Sequence, residues 1–152
     1  MGYVAARVLE STVIVVGIVS LLSVVTLRQD FAGAAGADAA SLVTVGKSLV
    51  AFHDWTFLLG PGILPGVNGL LLGYLMYTSR LVPRAMAVLG LVGGPLLIAS
   101  FVAVLFGLFE AGSAWQAIAT IPVAAFEVSL GIYLIVKGFK PSPITSGDIP
   151  HR

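Results

Sequence analysis

The stretch Ala85-Met86-Ala87-Val88-Leu89-Gly90-Leu91-Val92-Gly93-Gly94-Pro95-Leu96-Leu97-Ile98-Ala99-Ser100-Phe101-Val102-Ala103-Val104-Leu105-Phe106-Gly107-Leu108-Phe109 contains no charged residue. It follows Pro83-Arg84 and stops at Glu110-Ala111-Gly112. A bilayer core about 30 Å thick is crossed by roughly 20 apolar residues in a helix, so this run reads as a membrane span. Working outward, the remaining charges and turn residues cut the chain into three more such pieces, over residues 3–27, 55–77 and 115–137. The expected fold is all-α: a polytopic four-transmembrane-helix bundle in one domain over residues 1–140, followed by a disordered cytoplasmic tail over 141–152.

Composition agrees with that reading. The 152 residues are 58% hydrophobic and 10% charged, with 8 Lys+Arg against 7 Asp+Glu, and the mean hydropathy is +1.04. A soluble domain carries about a quarter of its residues as charges, and this chain lacks the polar residues to cover a wetted surface. Disorder throughout would need low hydrophobicity and high net charge. A nucleic-acid partner would need a basic face, so none is expected. With no cysteine, disulfides, thiolate metal sites and cysteine nucleophiles are excluded.

The segment between the first two spans, residues 28–54, has two parts. Residues 31–40 are small and glycine-rich and read as an irregular loop. Over 41–53, Leu42, Val45, Leu49 and Phe52 recur at helical spacing, which fits an interfacial amphipathic helix or an early extension of the second span. The run Val13 to Val25 with Ala32-Gly33-Ala34 also has the outline of a signal peptide. Glu10 and the length of the apolar run favour a retained span.

Orientation follows from Lys/Arg near the span ends. Arg7, Arg80, Arg84, Lys137, Lys140 and Arg152 fall on one side, and only Arg28 and Lys47 on the other. Both termini are therefore expected in the cytoplasm. Trp55 and Trp115 mark the outer ends of spans two and four, as membrane-interface aromatics do.

A few polar residues lie inside the spans. Arg7 and Glu10, three apart, share a helix face and can pair. Glu127 is ten residues from Lys137, about 15 Å along a helix, and an ionisable group at such depth is a functional candidate by default. Asn68 falls at a similar depth, so an Asn68–Glu127 contact is geometrically reasonable. These four form the candidate intramembrane polar site, against the alternative that each only serves helix packing. Pro61 and Pro65, among Gly60, Gly62 and Gly66, are the candidate helix break, since proline removes a backbone donor. Gly62/Gly66, Gly69/Gly73 and Gly90/Gly94 are small-xxx-small pairs that favour close packing of spans two and three. His53 and Asp54 form a candidate polar pair at the outer boundary, too few for a metal site. No catalytic residue, cofactor site or metal site is expected: no Ser–His–Asp set, P-loop or dinucleotide fingerprint is present.

Taken together, Gly2-Tyr3-Val4-Ala5-Ala6-Arg7-Val8-Leu9-Glu10, Pro83-Arg84-Ala85-Met86-Ala87-Val88-Leu89-Gly90 and Leu130-Gly131-Ile132-Tyr133-Leu134-Ile135-Val136-Lys137-Gly138-Phe139 resemble a bacterial integral-membrane family, the domain of unknown function 4386 family. The resemblance covers about residues 2–140. It implies a bacterial inner-membrane protein similar to the last four spans of a six-span pattern, and it supplies no reaction. Relatives often read P-E-F-x-W-E in the last span; here only Pro122 and Glu127 match. The expected function is a non-enzymatic accessory or structural membrane component, with membrane lipids and a homo-oligomer or membrane-complex partner as its contacts. The alternative is a small transporter or channel-like protein with a mid-membrane site around Glu127 and Asn68.

Overall fold

The computed structural model describes residues 1–32 and 37–140. The expected tail over 141–152 and part of the first loop lie outside them. The described residues form helices α1 (Gly2–Asp30), α2 (Ala37–Phe57), a π-helical segment (Leu58–Ile63), α3 (Leu64–Ser79), α4 (Arg84–Leu105) and α5 (Ala114–Lys137), with no strand among them.

Four stretches are long and apolar enough to cross a membrane, at 29, 42, 22 and 24 residues. The second runs through α2, the π segment and α3. The helix thus begins at Ala37, inside the expected loop, and residues 41–53 belong to the helix that continues through 55–77. The Gly/Pro stretch widens this helix without ending it. Pro61 cannot donate a backbone hydrogen bond, and Leu64 N–H reaches back five residues to the Leu59 carbonyl. The third helix stops at Leu105, short of Phe109. Gly107 N–H bonds the Val104 carbonyl and Leu108 N–H the Ala103 carbonyl, both at 2.9 Å. With Gly107 at φ +69, this is a Schellman ending.

Glycine dictates how α3 and α4 meet. A Cβ on Gly94 would lie 2.6 Å from the Gly66 carbonyl oxygen, and one on Gly90 2.9 Å from that of Gly69. The two backbones touch, as small-residue faces allow in membranes where dispersion contacts hold helices together. Below this seam, Phe126 of α5 is fully buried with Val82 and Leu130, while Leu97, Phe101 and Val123 form a second cluster. Most other large apolar side chains face outward, including Val15, Ile18, Leu22, Val92, Ile121 and Ile135. That distribution suits a lipid solvent.

The helices are staggered. At about 1.5 Å per residue, α4 and α5 span roughly 33–36 Å, whereas the second helical stretch spans about 60 Å. Its first half, α2, packs on α1 and the π segment and touches neither α4 nor α5. The α1–α2 hairpin therefore extends past the α4–α5 turn. Ser20 Oγ donates to the Leu49 carbonyl at 2.7 Å within it.

Candidate functional site

Tyr3, Arg7 and Glu10 sit four and three residues apart on one face of α1. Arg7 Nε donates to Tyr3 Oη at 3.0 Å and Arg7 Nη1 to Glu10 Oε2 at 2.9 Å. The second guanidinium nitrogen, Nη2, donates to Glu127 Oε1 of α5 at 2.7 Å. Asn68 Nδ2 of α3 donates to the same Glu10 oxygen that Arg7 holds. One guanidinium and one carboxylate thereby link three helices.

The backbone explains why these groups meet. Phe126 is 0% exposed, docked where a Cβ on Gly90 would touch it. The next residue turns about 100° around the helix, which brings Glu127 out of the core and toward α1. Asn68, between the close-packed Gly66 and Gly69, is likewise 0% exposed. Its Oδ1 is buried with no hydrogen-bond partner. Burial then falls off steeply: the Glu10 side chain is 11% exposed, Arg7 36% and Glu127 40%. α1 and α5 do not pack on each other, so the Arg7–Glu127 pair crosses an open seam. Beside it, an open groove on α1 runs past Tyr3, Arg7, Ser11 and Val15.

Arg7, Glu10, Asn68 and Glu127 are thus brought together, with Asn68 bonded to Glu10 and Glu127 to Arg7. Tyr3, outside the expected site, joins it as a partner of Arg7, and its spacing of four from Arg7 carried the signal. His53 and Asp54, consecutive in α2, point about 100° apart around the helix. His53 Nδ1 lies 3.1 Å from the Gly17 carbonyl, to which Nδ1–H donates, pinning α2 to α1. Asp54 lies on the other side, at the mouth of a pocket of about 640 Å³ between α2, α4 and α5. Pro61 lies within the π segment and Pro65 in the first turn of α3. Among the described residues, no three His, Cys, Asp or Glu side chains gather to hold a metal.

The family described as Domain of unknown function (DUF4386) matches residues 1–138, a span that includes every residue of this network. The chain belongs to that family. No curated protein and no solved structure matches it. The DUF4386 match covers α1 to α5, so the Arg7 network, the glycine seam and the pocket beside Asp54 all lie in the family's region of the chain.

Proposed function

We propose that this multi-pass membrane protein is a non-enzymatic membrane component whose α1–α5 seam receives another membrane helix. The observation that carries this reading is the half-exposed Arg7–Glu127 pair, standing about 15 Å from the Lys137 end of α5 on a seam with no helix packing. Charged groups at such depth are expensive against hydrocarbon and face protein or water. One guanidinium and two carboxylates leave a formal charge of −1. That charge favours an incoming helix that brings a donor or a cation, because two copies face to face would oppose like charges. The Lys/Arg positions support both termini in the cytoplasm, and the family resemblance supports a bacterial inner-membrane setting.

The chain has no cysteine, so a spin label on Ser11→Cys in the α1 groove reports on this seam alone. In native membranes, the reading expects protection from both oxygen and a water-soluble nickel relaxant. Oxygen access would mean that lipid covers the seam, and the reading would fall. Nickel access would favour the second reading, a small transporter or channel-like protein. Its own support is the orphan Asn68 Oδ1 beside Glu10, a buried acceptor with no donor among the described residues.

A further inference from the structure

At the other end of the bundle, α2 parts from α4 and α5 and leaves the pocket of about 640 Å³. This lies within the volume range of small-molecule sites, which are mostly apolar with a few placed polar groups. Trp55, Phe57 and Leu58 form one wall, Phe101 and Val104 the floor, and the α4–α5 turn with Gln116 and Thr120 the other wall. One charged group lines it, Asp54. Asp54 makes no ion pair among the described residues, and no lysine or arginine lines the space.

The turn adds a buried hydroxyl. Ser113, which lines the pocket, has its hydroxyl oxygen buried without a hydrogen-bond partner. A buried polar atom left unpaired costs free energy and calls for an explanation. Gln116, 7% exposed, has its carbonyl oxygen directed to the turn, where it accepts from Gly112 N–H. An unpaired carboxylate and aromatic faces, set in apolar walls, match one ligand chemistry. Aromatic faces attract cations, more strongly where water is excluded.

We infer that this pocket binds a lipophilic organic cation, with Asp54 as its counter-ion and Trp55 and Phe57 as the aromatic wall. The site is separate from the Arg7 network and does not depend on the role proposed for it.

The chain has two tryptophans, so Trp115→Phe leaves Trp55 as the sole reporter. The protein is placed in phosphatidylcholine nanodiscs and titrated with tetraphenylphosphonium, then with tetraphenylborate, its anion of similar shape. The expected result is a saturable change in Trp55 emission with the phosphonium only. Asp54→Asn should weaken that binding about tenfold, the factor that corresponds to 1.4 kcal/mol. Ala117→Leu, which fills the pocket from α5 without touching Asp54, should abolish it. Both variants must keep the parent helix content. Equal responses to the two ions, or unchanged phosphonium affinity in Asp54→Asn, would overturn the assignment. Loss of the response in phosphatidylethanolamine nanodiscs would also overturn it, by giving the pocket to a lipid amine headgroup.

Discussion

Arg7 and Glu127, 120 residues apart in the chain, meet at 2.7 Å across a seam where their helices do not otherwise pack. The pair is asymmetric in burial. Arg7 also serves Glu10, which is nearly enclosed, whereas Glu127 is two-fifths open.

That asymmetry predicts unequal costs. Arg7→Leu strands the Glu10 carboxylate with Asn68 as its remaining donor, and breaking a buried pair in this way costs about 3 kcal/mol. Glu127→Gln removes an exposed partner and should cost about 1 kcal/mol or less. Reversible unfolding in mixed micelles measures both. Equal losses would show that Glu10 does not depend on Arg7.

Asn68→Asp keeps the shape of a fully buried side chain but replaces the amide donor to Glu10 by a second acid. It should destabilise more than Asn68→Ala, which removes the donor without adding charge. The same unfolding measurement ranks them, and the reverse order would mean that Asn68 does not face an ionised Glu10.

The glycine seam predicts a position-dependent response to one methyl group. Gly94→Ala puts a Cβ 2.6 Å from the Gly66 carbonyl oxygen, and such overpacking costs about 1–3 kcal/mol. At Gly131 of α5 a Cβ would meet nothing within 4 Å. There alanine should raise stability by up to about 1 kcal/mol through helix propensity. Thermal melts in detergent would show opposite shifts of the midpoint.

His53→Ala removes the bond to the Gly17 carbonyl and should loosen the α1–α2 hairpin alone. Hydrogen exchange should quicken in residues 14–30 and 41–57, while α4 and α5 keep their protection. Uniform quickening would place His53 in the global core.

The four apolar helices were legible because uncharged length is a one-dimensional property, read directly from runs such as 85–109. The close α3–α4 approach was legible too, because Gly66, Gly69, Gly90 and Gly94 recur at one-turn spacing. Bond partners were not. Whether Glu127 reaches Arg7 or Asn68 depends on how far α5 is rotated, and that rotation is set by Phe126 docking at Gly90, a contact with no local signature. The early stop of α4 lay in Gly107, one glycine among 18, whose positive φ has no mark in the sequence. The run of helix from Ala37 was hidden by small residues that read as loop until α1 packs beside them.

The π segment sets the phase of everything after it. Its wider turn takes in about one residue more than an α-turn, which rotates the following side chains by about 100°. Gly60 faces α1 at Val13, and Asn68, eight residues on, faces α1 again at Glu10. In an unbroken α-helix the two would diverge by about 80°. A single-residue deletion within 58–63 would therefore let the segment close as an ordinary α-helix and leave Asn68 within about 20° of its present face. Replacing the segment residue for residue by a strongly α-helical sequence would instead turn Asn68 off Glu10 by about 80°, and the glycine edge of α3 away from α4, while leaving every residue of both contacts in place.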